Sequence, residues 1–290
     1  MLNVAQIILT VIGSIFGIFS LIIYFKYKKN FDQIISVIDS DEFFLSELFF
    51  IGFGIMDTFH FDMNNDLSRK RTKEISEIYG KKYAQFHLYV LRGGQITYLM
   101  VFVTIAILLS AMAGKTVVAL FGIILSMLLV YYLEENLNDK LKARREEIML
   151  DFPNVLSKLT LLITSGMVMR DAWKKVALGG ERELYKEMQM TVQDLENGIP
   201  EVDAYIGFAN RCNVKEIRKF AATLTQNLKK GGSEMTMFLN DMSKEMWETK
   251  KMTVKKKGDK AASQLLIPTT IIFVGILILI LVPMLASMGI

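Results

Sequence analysis

Residues 265–285 read LLIPTTIIFVGILILILVPML, and no charge interrupts them. A helix of that length crosses a hydrocarbon core, which needs about 20 apolar residues. Its two prolines, Pro268 and Pro283, sit near the ends, where a proline costs a helix least. Working outward, residues 4–25 form a second charge-free run, and 96–113 and 117–133 form two more. Gly114, Lys115 and Thr116 are all that joins the last two. Bulk composition, at 52% hydrophobic and 22% charged, understates this pattern, as does a mean hydropathy of +0.33. The segments 1–25, 95–133 and 265–290 hold one charged residue, Lys115, while the rest of the chain carries every acidic side chain. Such a split excludes an ordinary soluble domain and a disordered chain, and a single cysteine, Cys212, excludes an internally disulfide-bonded scaffold. Residues 4–25 do not read as a cleaved signal peptide, because nothing basic precedes them and Lys26, Lys28 and Lys29 follow.

Orientation follows from lysine and arginine. The segments 26–94 and 134–264 carry nearly all of them, and the 114–116 loop carries one. The positive-inside rule therefore places both long segments in the cytoplasm and both termini outside. Residues 43–56 are apolar except for Ser46 and Glu47, and too short for a span. They are expected to form an interfacial or partner-facing helix, the alternative being a buried helix of a small cytoplasmic domain. After Asn64, Asn65 and Asp66 a polar helical stretch is predicted over 67–89, leading through Arg92, Gly93 and Gly94 into the second span.

Residues 134–264 show helical periodicity with clear stops. Pro153 suits a first helical turn, and Val155, Leu159, Leu162 and Ile163 follow as one apolar stripe until Gly166. Further helices are predicted over 170–178, 181–196 and from Pro200 to about 211. Asn213 can cap a helix striped by Ile217, Phe220, Leu224 and Leu228, which Gly231 and Gly232 end. Met235, Phe238, Leu239, Met242 and Met246 line the last helix, which shows no stop before Gly258. No alternating β-pattern of useful length occurs.

Catalytic patterns fail one by one. Gly114-Lys115-Thr116 lacks the glycine a phosphate loop needs, since position 109 is leucine, and it joins two spans. Gly52-Phe53-Gly54 has isoleucine at 55 where an intramembrane aspartic protease carries aspartate, and a second embedded aspartate is missing. His60 and His87 are the only histidines, and no metal spacing exists. His60, between Phe59 and Phe61, reads as a packing residue, and Cys212 as a small buried side chain. No ionisable residue lies inside a span, which disfavours a transporter or channel subunit, the runner-up reading. The run Lys250, Lys251, Lys255, Lys256, Lys257 and Lys260 suits acidic lipid headgroups or an acidic partner face, or is a topology signal. Nucleic acid is not expected, because 134–264 nets only a small positive charge. Gly13 and Gly17 form a small-xxx-small pair that lets another helix approach.

From about 145 to 285 the chain resembles the type II secretion system F domain, in its TadC-like branch of pilus platform proteins. The residues that carry this are Arg145, Asp151, Phe152 and Pro153; Leu159 to Leu162 with Ser165 and Gly166; Ala172 and Trp173; Leu195, Gly198, Ala204 and Phe208; Phe220, Leu224 and Gln226; Gly231 and Leu239; and Ala261, Pro268 and Pro283. The family-pattern structural positions are Pro153, Gly166, Gly198, Gly231, Pro268 and Pro283. The resemblance implies a non-enzymatic, multi-pass platform of the bacterial inner membrane. Such a platform couples a cytoplasmic ATPase hexamer to pilin extraction in a Tad/Flp-type pilus or related filament. It binds no cofactor. Its implied partners are that ATPase, a paired TadB-like membrane protein, pilin subunits and membrane lipids, within a homo- or hetero-oligomer. Two departures stand out. General secretion relatives carry two copies of the domain, for which 26–94 is too short. Leu228-Lys229-Lys230-Gly231 replaces their Glu-x-Ser-Gly, so no metal or acidic role transfers. The expected architecture is an all-α membrane protein with four transmembrane helices and a cytoplasmic helical bundle: a first transmembrane helix in 1–25, a small cytoplasmic segment in 26–94, a transmembrane hairpin in 95–133, an F-domain bundle in 134–264 and a last transmembrane helix in 265–290.

Overall fold

A computed structural model describes residues 4–35, 38, 43, 45–61, 63, 65–228 and 232–287. Among these, all regular structure is helical: α1 (Val4–Ile35), a 3-10 turn (Ser46–Leu48), α2 (Phe50–Thr58), α3 (Asp66–Ala113), α4 (Thr116–Thr164), α5 (Met169–Ala177), α6 (Glu183–Glu196), α7 (Glu201–Cys212), α8 (Lys215–Asn227) and α9 (Gly232–Ser287). Four of them, α1, α3, α4 and α9, are long and apolar enough to cross a membrane. The chain divides into two compact units, Met1–Arg144 and Arg145–Ile290, and the division falls inside α4. Helices run straight through the borders that charge drew at 25, 94, 133 and 264, because charged and apolar side chains both sustain an α-helix.

In the first unit, α2 is a wedge between α1 and α3. Phe49 and Phe53 are fully buried, and Phe50, Ile51 and Met56 nearly so. This corrects the interfacial or partner-facing reading of 43–56: among its described residues, 49–54 and Met56 are core. Glycines make it possible. A methyl group on Gly52 would overlap the Gly93 carbonyl oxygen, and one on Gly94 would lie 2.7 Å from the Phe49 ring. The Gly52 amide donates to the Thr97 hydroxyl at 3.0 Å, which itself donates to the Gly93 carbonyl at 2.8 Å. Phe53 stacks on Tyr89 at 4.9 Å. After α2, His60 adopts φ 47° and the Phe61 amide closes a six-residue turn on the Met56 carbonyl at 3.0 Å. His60 thus fills a helix-ending position usually held by glycine and is exposed, which corrects its reading as a packing residue.

The stretch 67–89 is not one straight helix either. Gly80, at φ 77° and ψ 159°, breaks α3. One carboxylate proves the fold-back: Glu134 accepts from Arg71 at 2.8 Å and from Gln95 at 2.8 Å. In a straight helix those two donors would stand about 36 Å apart. Tyr79 and His87 stack face to face across the turn at 3.6 Å. At the other end of α3, Gly114 at φ 68° and Ser110, donating to the Lys115 carbonyl at 2.9 Å, make the tight connection into α4.

The second unit is a bundle of α5 to α8 closed by the end of α4 and the start of α9. Its core centres on Trp173, Tyr205, Phe208, Phe220 and Phe152, each at most 1% exposed. Pro153 lies within α4, not at a helix start. Burial of Phe152, Val155, Leu156 and Leu159 on one face outweighs the roughly 3 kcal/mol an interior proline costs. Asn213 ends α7 in the left-handed region at φ 49° and does not start α8, whose N-cap is Val214. Asparagine tolerates that conformation better than most residues do.

Candidate functional site

No group of three or more metal-ligating side chains occurs among the described residues. The features that stand out are ion-pair clasps, exposed helix and the family-pattern glycines. Gly166 at φ 91° and Gly198 at φ 85° occupy equivalent places at the ends of α4 and α6. At each, the glycine amide reaches back three residues and the next amide reaches back five: Met167 to Leu162 at 3.1 Å, and Ile199 to Asp194 at 3.0 Å. Only a residue free of a β-carbon adopts this turn without strain. Both glycines therefore set chain direction between bundle helices. Gly231 lies outside the described residues. Pro268 and Pro283 lie within α9.

Ion pairs clasp one bundle helix to another. Arg211 of α7 donates to the Glu187 carboxylate at 2.7 Å, to Asp194 at 3.0 Å and to the Thr191 hydroxyl at 2.8 Å, all on α6. Glu187 is only 5% exposed. Arg182 ties the start of α6 to Glu147 and Asp151 of α4 at 3.1 and 3.0 Å. Lys219 of α8 donates to both oxygens of Glu245 on α9. Sequence reading missed these partners. Its one available signal was that Glu187 and Thr191 interrupt the apolar face of α6 at i and i+4. The first unit has its own cluster, in which Arg71 also donates to Glu74 and Asn138.

Among the described residues of the bundle, Asp151 Oδ2 and the Tyr205 hydroxyl are buried without a hydrogen-bond partner. Burial pushes the Tyr205 phenol well above its ordinary value of 10.0. The Glu201 charge adds to the shift and Arg170 opposes it.

The lysine run lies along α9. Lys250 donates to the Leu150 carbonyl at 3.0 Å and sits over the Trp247 ring. Lys251 pairs with Glu248, and Lys257 with Glu146 at 2.7 Å. Lys255, Lys256 and Lys260 are exposed, with no ion-pair partner among the described residues. Every residue from 251 to 285 is exposed within the chain. On a continuous helix Lys260 stands about 8 Å below Leu265, and Lys250 about 22 Å below it. A charge is screened over roughly 8–10 Å at physiological salt, so one lipid surface at Leu265 cannot hold the whole run. Gly13 and Gly17 face α3: a methyl on Gly13 would lie 2.7 Å from Ile107, and one on Gly17 would lie 3.4 Å from Thr104. Cys212 is buried.

Residues 155–283 match the family model described as type II secretion system (T2SS), protein F. The matched segment begins inside α4, takes in α5 to α8 and ends at Pro283 in α9. No curated protein and no solved structure matches the chain.

Proposed function

We propose, from the similarity of residues 155–283 to type II secretion protein F, that the chain is a non-enzymatic platform of the bacterial inner membrane. In this reading it serves a Tad/Flp-type pilus or related secretion filament. It couples a cytoplasmic ATPase hexamer to extraction of pilins, alongside a TadB-like partner and within an oligomer. The match to protein F carries the reading. Supporting it are four helices apolar enough to cross a membrane and a helical bundle in which Arg211 and Lys219, among other charges, clasp one helix to the next. The bundle and the lower part of α9 would face the ATPase, with Lys255 and Lys256 held clear of the membrane on exposed helix.

Co-purification tests this. The full-length protein, extracted in mild detergent, is expected to bring down a secretion ATPase of its host. A deletion strain is expected to lose its filaments. Filaments that persist in the deletion strain, together with a purified pair that never associates, defeat the reading.

A further inference from the structure

An apolar groove of about 460 Å³ opens among α1, α2 and α3. Ile15, Phe16 and Phe19 line one wall, Ile55 and Phe59 the floor, and Ile96, Leu99 and Met100 the other wall. No polar side chain among the described residues contributes to it. We infer that this groove binds one anionic phospholipid, with an acyl chain lying against Phe16 and Phe19 and the headgroup held by Lys26. The inference is independent of the protein F reading, because the groove lies wholly outside residues 155–283.

Helical register supports the lipid. Ile15, Phe19, Ile22 and Lys26 follow one another at four, three and four residues, so they share one face of α1. Ile15, Phe19 and Ile22 on that face are exposed, as is Lys26 at its end. Lys26 lies over the Tyr27 ring at 5.0 Å and has no ion-pair partner among the described residues. From Ile15 to Lys26 the helix rises about 16 Å. Half of a hydrocarbon core is about 15 Å. A lipid whose phosphate meets Lys26 therefore reaches Ile15 with its chain end. An apolar helix from a partner protein would fill the groove equally well, but it would leave the cation at the groove's end unmatched. Lys28, two residues on, points to the opposite side of the helix and lies over Tyr24.

The test uses full-length protein in nanodiscs of phosphatidylethanolamine and phosphatidylglycerol in equal parts, released into mild detergent and weighed by native mass spectrometry. One retained phosphatidylglycerol is expected on the unaltered protein. Lys26→Gln should keep the adduct but weaken its preference for phosphatidylglycerol roughly fivefold, the effect of one near-surface charge on an anionic lipid. Lys28→Gln should leave the preference unchanged. Leu99→Trp, which projects an indole from the groove wall, should lower the adduct several-fold while helix content by circular dichroism stays the same. No adduct on the unaltered protein, or equal preference in the two lysine variants, overturns the site. A photo-crosslinker at position 100 that captures a protein helix in intact cells, and no lipid, overturns the occupant.

Discussion

Arg211 shows how much one side chain can carry when its partner is buried. It bridges two carboxylates and a hydroxyl on α6, and Glu187 has almost no solvent to turn to. Arg211→Met should destabilise the bundle by about 3–5 kcal/mol, because it strands a buried charge. Adding Glu187→Met should recover most of that loss, since a well-packed apolar pair is often neutral in place of a buried ion pair. Thermal unfolding in detergent, followed by circular dichroism, measures both. Tyr205 gives the opposite case. Its hydroxyl has no partner, so Tyr205→Phe should leave stability unchanged or raise it by about 1 kcal/mol. The pH dependence has a definite sign. The folded protein holds the phenol neutral, above its ordinary value of 10.0, while the unfolded chain ionises near that value. Stability is therefore complete below pH 10 and drains away as pH rises through the shifted value. Tyr205→Phe should resist alkaline unfolding better than the unaltered protein, and the difference between their melting curves above pH 10 is the readout.

At the scale of elements, α2 and α9 are the pieces most open to direct test. Gly52→Ala places a methyl on the Gly93 carbonyl oxygen, a backbone atom that cannot swing aside. Overpacking of this kind costs typically 1–3 kcal/mol, and here the upper end is expected. Limited proteolysis between α2 and α3 should speed up accordingly. In α9, two glycines inserted at Gly258 should stop filament growth while leaving membrane insertion and ATPase binding intact, if the helix transmits motion as the proposed function requires. Unchanged piliation in that strain would count against transmission. Sequence made the long apolar helices legible because charge is excluded over whole runs such as 265–285. It also located α5 to α8 within a residue or two, since Gly166, Gly198 and Pro200 punctuate them. It misplaced Pro153 and Asn213 because local preference lost to burial in the first case and to a left-handed turn in the second. The wedge at α2 and the fold-back at Gly80 were illegible. Both rest on glycines whose meaning comes from a distant partner, Gly93 for Gly52 and Glu134 for the limbs around Gly80.

For the whole molecule, the question is which parts face which side. The charge asymmetry between the 114–116 loop and the segments on either side of the hairpin gives a definite expectation. Lys115→Cys, at an exposed turn, should react with a membrane-impermeant maleimide added to intact cells. Lys82→Cys and Lys255→Cys, both at exposed positions, should react only after the membrane is opened. Cys212 is buried and should stay silent in the folded protein. Labelling of Lys255→Cys from outside would invert the topology and remove the ATPase-facing surface with it.

The continuity of α9 also bears on how the protein is made. Met235, Leu239, Met242 and Met246 complete the core of the second unit, and the apolar run to Leu285 follows on the same helix. Those four side chains leave the ribosome after every other core residue of that unit. At about 5–20 residues per second, the rest of the helix follows within about 2–8 seconds. The nascent bundle thus gains its last wall just before the translocation machinery meets the final apolar run. Closing the core and committing the chain to the bilayer become almost one event in biogenesis. A ribosome stalled once Met246 has cleared its exit tunnel should hold a bundle whose core is complete, tethered at its entry and not yet at its exit.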